Sequence, residues 1–318
     1  MENRKLEVHT FHLEDKKNKE IIIDPSNVTG IDLYKSLKDN FVNFVDNLPP
    51  DDIWKRTSKI DAKDGFKTFK FNDDVRYVSG KIKIGNDQNK EQDVVATDDK
   101  KDVLYTIGKG ESVERPYYFM IILPAKKNKG FIVIEREGRH TMKQIFSKIL
   151  EKFVSCKLST TKIVMKGFVE DKIIRDFLKN GDYERIILNR NLIPNDISER
   201  YLGKFQQAGK YQIQLNIIPK EKTLFPAFTK QRILSNLDKY NGFFEDEQLK
   251  KLGFNEDSDI KVVTTLHGNT RTIDLRDTFK MRPYYLISVK IDSKGFSDFE
   301  NINRESATLL KSFELDIL

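Results

Sequence analysis

Residues 5–13 (Lys-Leu-Glu-Val-His-Thr-Phe-His-Leu) alternate between polar and apolar positions, the pattern of a half-buried strand. Lys16, Lys17, Asn18 and Lys19 read as a turn into a second strand over 20–23, and Asp24-Pro25-Ser26-Asn27 is loop chemistry. From about residue 29 to 46 the period changes. Leu33, Leu37, Phe41, Phe44 and Val45 recur at helical spacing, and Pro49-Pro50 stops the helix. Alternation resumes over 66–71 and 75–84. The polar, acid-rich stretch 85–101 reads as a mobile loop. Further strands are expected over 103–107, 117–123 and 130–135, the last two joined by a hairpin loop with a basic tip at Lys126, Lys127 and Lys129.

The clearest helix spans 141–155. Met142, Ile145, Phe146, Ile149, Leu150, Phe153 and Val154 form one apolar stripe, and Lys143, Lys148 and Lys152 fall outside it. Residues 162–191 have the pattern of a βαβ unit, with Asn180-Gly181 as a left-handed helix cap. A short helix near 196–205, a strand over 211–217 and a helix over 228–240 follow. A hairpin over 260–275 turns around His267, and a strand over 284–291 and a helix over 299–313 complete the chain.

Arg115-Pro116-Tyr117-Tyr118 and Arg282-Pro283-Tyr284-Tyr285 each precede an apolar strand that runs on to a Lys-Gly-Phe turn. This similarity suggests two related halves. The expected fold is therefore α+β, or mixed α/β, with mostly antiparallel sheets and helices packed on one face of each. The expected domains are 1–158 and 159–318, with the boundary somewhere in 155–195.

Composition narrows the classes. The chain has 318 residues, 38% of them hydrophobic and 33% charged, enough apolar content for a core. Cys156 is the sole cysteine, which removes any intrachain disulfide and suits a reducing compartment. The first residues lack the apolar segment of a signal peptide, and the longest apolar run, 117–125, falls far short of the roughly 20 residues of a membrane helix. A cytoplasmic protein without membrane partners is expected.

The net charge is +7. The window 126–172 holds twelve Lys and Arg against five acids, which equals that whole excess. A uniform bias toward lysine codons would not concentrate it so. Lys126, Lys127, Lys129, Arg136, Arg139, His140, Lys143 and Lys148 are accordingly the candidates for gripping phosphates. His140 opens the best helix, where free N–H groups suit an anion.

Catalytic patterns are sparse. Glu135 and Glu137 share a strand face and, with His140, are the weak catalytic candidates. A metal-dependent nuclease would use such acids to hold Mg²⁺, although the Glu-x-Lys triplet is absent. His9 and His12 lie three apart on a strand, so they point to opposite faces and read as half-exposed strand residues. Gly108-Lys109-Gly110-Glu111-Ser112 is too short for a phosphate loop, and no nucleophile elbow occurs. Trp54 and the tyrosine pairs 117/118 and 284/285 could stack on bases, but strand aromatics more often fill cores. Cys156, at the end of an apolar helix, reads as a buried inert thiol.

These features point first to a non-catalytic protein that binds DNA or RNA, without a cofactor, in a regulatory or phage-defence setting. A metal-dependent nuclease using Glu135 and Glu137 is the second reading, with Mg²⁺ as its cofactor. A protein-interaction subunit is the third, pairing with another protein or with further copies of itself. There the acidic 85–101 loop and the basic 126–172 region attract one another.

Overall fold

The structure, a computed structural model, describes all residues except 88–90, 97–101, 126, 138–139, 191–211, 221–224, 237–246, 252–253, 256–257, 267–268, 277–283 and 314–318. It is a mixed α+β protein with mostly antiparallel sheets. The chain forms two compact units, Met1–Lys166 with Tyr284–Leu318, and Gly167–Pro283. The chain passes out of the first unit after Lys166 and re-enters it at Tyr284, so two crossings separate the units.

In the first unit, β1 (Glu2–Asp15), β2 (Ile22–Ile23), β3 (Arg56–Ile60), β4 (Ala62–Lys63), β5 (Phe66–Lys67), β6 (Phe69–Asn72) and β7 (Tyr77–Asp87) come first. β8 (Gln92–Val95), β9 (Val103–Ile107), β10 (Ser112–Ile122), β11 (Gly130–Glu137), β12 (His140–Thr141) and β13 (Thr161–Gly167) follow. The main sheet runs β13-β1-β11-β10-β7-β3. Two helices precede the crossing, α1 (Leu33–Asp46) and α2 (Lys143–Lys157). The second unit holds α3 (Asp171–Asn180), β14 (Asp182–Arg190), β15 (Ile213–Ile217), α4 (Ala227–Asn236), α5 (Glu247–Lys251), β16 (Asp259–Leu266) and β17 (Asn269–Asp274). Its sheet runs β15-β14-β16-β17. β18 (Tyr284–Val289) and α6 (Phe299–Lys311) then return to the first unit.

Residues 162–191 are therefore not a βαβ unit. The strand and helix positions are as expected, but β13 borders β1 in the first sheet and β14 lies in the second. Apolar spacing fixes which face of a strand is buried and carries no information on which sheet it joins. Both Tyr-Tyr pairs likewise lie in the first unit, on β10 and β18. Part of the expected 85–101 loop is strand as well, since β7 reaches Asp87 and β8 pairs with β9.

Neighbouring residues of β10 reveal helices on both faces of the main sheet, not one. Phe119 meets Phe41 of α1 at a ring distance of 5.6 Å and Phe146 of α2 at 5.1 Å. Tyr118 points the other way. Its ring lies 6.2 Å from that of Phe299 in α6, and its hydroxyl donates to Asn303 Oδ1 at 2.9 Å. Successive strand side chains alternate between faces, so α1 and α2 cover one side and α6 the other. A sheet buried on both faces also explains why six consecutive residues, Tyr117–Ile122, are buried without alternation.

Local chemistry positions these helices. Asp32 caps α1, accepting from Tyr34 N–H at 2.9 Å, and its two carboxylate oxygens hold both terminal nitrogens of Arg76 at 2.8 and 3.0 Å. Arg76 Nε also donates to Leu123 O, tying the helix start to the end of β10. Gly130 must be glycine because a Cβ there would lie 2.3 Å from the Phe11 ring. Gly181 is not left-handed as expected (φ −71°). It is small because a Cβ would meet Thr264 Oγ1 at 2.2 Å.

Phe41 sits among three aromatic rings, Phe119, Phe146 and Phe153. Truncation to alanine should cost about 3–5 kcal/mol, read as a lowered urea midpoint at unchanged slope. A loss under about 1 kcal/mol would show that α1 and α2 do not share this core.

Candidate nucleic-acid interface

The face covered by α2 carries a polar cluster inside an otherwise apolar core. Glu7 and His9 of β1 pair across from Ile134 and Ile132 of β11, so they point toward α2. Glu7 accepts from Arg136 at 2.8 Å and from the Thr141 hydroxyl at 3.2 Å. His9 is fully buried, with Nε2 3.5 Å from Glu7 Oε2, and neither ring nitrogen has a hydrogen-bond partner among the described residues. Its expected half-exposure is thus corrected, because α2 closes over it. His12, on the opposite parity, pairs with Glu14 at 2.7 Å.

Charge and burial act together here. Burial alone raises the Glu7 carboxyl, but His9 and Arg136 beside it outweigh burial and hold it below its ordinary value. Burial pushes the His9 imidazole down, and the positive charge of Lys143 adds to this while Glu7 opposes both. Arg136 is therefore committed to Glu7, with its outer face only partly open.

The basic residues do not form one surface. Lys127 and Lys129 are exposed in the turn between β10 and β11. Arg136 lies at the far end of β11, and the strand's eight residues put about 24 Å between the two ends. Lys143 begins α2. Lys148 lies over the Trp54 ring at 5.9 Å and 3.9 Å from Glu151, and Lys152 pairs with Asp52 at 2.8 Å. Lys162 and Lys166 are exposed on β13, on the parity opposite buried Ile163. Lys172 belongs to α3 in the second unit. Lys126 and Arg139 lie outside the described residues, as does the expected helix near 196–205. His140 pairs with Glu137 through its backbone in β12, and its side chain lies outside the description.

Trp54 stands out on the α2 side. Pro50–Ile53 forms a 3-10 turn whose last residue, Ile53, is fully buried. The chain then enters the left-handed region at two successive non-glycine residues, Trp54 and Lys55, both at φ +57°. Lys55 N–H closes the turn onto Pro50 O at 2.8 Å. This geometry throws the indole outward, 58% exposed, beside Lys148. By residue type, Trp54 reads as one more aromatic of the core. The Pro-Pro-Asp-Asp segment before it is the only signal of a turn. The core reading holds for Tyr117, Tyr118 and Tyr285, which are all buried. Cys156, expected buried, is exposed, since it lies past the stripe of α2.

Glu135 and Glu137 lie on the opposite face, toward α6. Glu135 is buried and bonded at both oxygens, accepting from Tyr118 N–H at 3.0 Å and from the Ser297 hydroxyl. Glu137 lies between Arg4 at 3.6 Å and Arg115 at 3.7 Å. Among the described residues no group of three or more His, Cys, Asp or Glu could hold a metal ion. No described helix is long and apolar enough to cross a membrane. Set against protein-family models and against curated proteins, the chain matches none.

Two predictions follow from these buried groups. Replacing Glu135 with alanine leaves the Tyr118 N–H and Ser297 hydroxyl buried without acceptors, which should cost about 1–3 kcal/mol of stability. A neutral result in chemical denaturation would contradict that structural role. The downward shifts of His9 and Glu7 mean that the unfolded chain binds protons at higher pH than the folded one. Stability is complete above the ordinary histidine value of 6.5 and falls as pH drops through the folded value, with a second loss from Glu7 below 4.5. The thermal midpoint should decline between pH 7 and 5, and His9→Phe should flatten that decline. An equal slope in both proteins would remove His9 from the account.

Proposed function

We propose that this chain is a non-catalytic nucleic-acid-binding protein that takes single strands on the solvent side of α2, with Trp54 as the platform for a base. The observation that carries the reading is the exposed indole held beside Lys148 by two left-handed residues. Each left-handed non-glycine residue costs about 1–2 kcal/mol. Burying the indole would have been the cheaper solution for stability alone, so the turn favours presenting the ring. An aromatic face with lysines around it suits single strands, because any base can stack on it while the cations meet phosphates. Lys55, Lys148 and Lys143 supply the charge. Arg136 contributes less, being held by Glu7. Lys127 and Lys129, on the β10–β11 turn, extend the footprint only for longer strands.

The engagement of both Glu135 oxygens by protein donors gives no support to the nuclease reading. Salt dependence should be shallow, with a slope of log affinity against log salt of about −2 for three phosphate contacts at about 0.7 each.

Trp54 is the only tryptophan, so its fluorescence reports directly on the site. Titration with a short oligo-dT at low salt should quench it. Trp54→Ala should weaken binding, followed by anisotropy of labelled oligomer, by about 1–3 kcal/mol, and Lys148→Glu should weaken it further. The Lys127→Glu, Lys129→Glu double variant should affect long oligomers and spare short ones. Unchanged fluorescence, with no binding of either DNA or RNA at low salt, would overturn the proposal.

A further inference from the structure

β7 and β10 do not close into a turn where they leave the main sheet. Their pairing runs from Tyr77↔Ile122 to Asp87↔Ser112, and the same two stretches of chain pair again as β8 and β9. Every residue of β8 is exposed, as is β9 up to Thr106, so this hairpin covers no core on either side. Val94, Val95, Val103, Leu104 and Tyr105 are 40–67% exposed. Val94 faces the same way as its cross-strand partner Tyr105, and Leu104 faces the other way. A lone two-stranded hairpin is marginal in water. One with apolar side chains on both faces gains stability from being covered.

Charge indicates what covers it. Residues 86–102 hold six acids against three lysines, −3 in a chain of +7. A polyanion is thereby disfavoured, and a basic protein surface is favoured. The chain itself carries such a surface at the border of the same sheet. Residues 55–71 hold six Lys and Arg against two aspartates. Lys59, Lys67 and Lys70 are paired with Glu114, Asp46 and Glu300, so Lys55, Arg56 and Lys63 carry the basic character, and Phe66 and Phe71 are exposed there by 79% and 50%. β3 ends the sheet, with no strand on its outer edge among the described residues. The root of the hairpin lies beside this border, since Asn86 pairs with Arg56.

We propose that β8–β9 is an arm that docks a second copy of this chain, laying its apolar, acidic hairpin on the basic, aromatic β3–β6 border of that copy. Because root and border are adjacent in one sheet, a two-fold axis there makes the exchange reciprocal and closes the assembly as a dimer. Strand addition along Arg56–Ser58 of β3 supplies backbone hydrogen bonds, Ile60 being already held by Asp46 and Lys67, and Phe66 and Phe71 cover the arm's side chains.

The test is the molar mass of the full chain by light scattering over a range of concentration and salt. A dimer that weakens with salt is expected. Leu104→Glu on the arm and Lys63→Glu on the border, both at exposed positions, should each raise the dissociation constant at least tenfold with unchanged circular dichroism. A monomer under all conditions would overturn the proposal. So would a dimer indifferent to Leu104→Glu or to Lys63→Glu.

Discussion

Glu135 sits buried on a central strand of the main sheet, and both of its oxygens are taken by protein donors. One donor is the backbone of the neighbouring strand, at Tyr118. The other is Ser297, which reaches it from more than 160 residues along the chain. A buried carboxylate without such partners would be prohibitively costly, so the sheet can keep Glu135 only if the C-terminal segment is in place. That segment brings further ties with it. β18 pairs along Glu2–Glu7 of β1, Tyr118 bonds Asn303, and Lys290 N–H donates to Asn301 Oδ1 at 2.8 Å. Lys81, itself buried, faces Asp292 at 3.7 Å. The second face of the sheet is thus completed by residues synthesised after the whole of the second unit.

The same economy governs the other face. Glu7 is buried under α2 and satisfied by Arg136 and Thr141, so one of the chain's arginines is spent internally. Much of the apparent basic excess between residues 126 and 172 is used in this way or dispersed. Lys152 is paired with Asp52, Lys162 and Lys166 lie on the opposite parity from the core residues of β13, and Lys172 belongs to another unit. The patch with binding chemistry left to it is the smaller one around Trp54 and Lys148.

The sequence conveyed elements far better than their assembly. The stripe Ile145, Phe146, Ile149, Leu150, Phe153 and Val154 is buried as its spacing demands. The strands β10, β11, β16 and β17 also lie close to where their apolar runs put them. Pairing partners were not legible, because period 2 describes one strand's faces and not its neighbours, which is why β13 and β14 read as one unit. Burial of His9 was hidden for a related reason. Its polar type suggests exposure, and only the return of α2 across β1 encloses it. Trp54 was visible as a residue, but its outward pose depends on φ +57° at two positions, which residue type does not announce. Cooperation between Glu135 and Ser297 left no trace in local pattern.

Residues 1–166 and 284–313 make one cooperative structure through the buried Glu135 network. Native-state hydrogen exchange read residue by residue tests this most directly. The amides of β18 and α6 should open with the same free energy as those of β1, β10 and β11, and separately from β14 and β16. Exchange of β18 and α6 well before β10 and β11, or in step with the second unit, would contradict it.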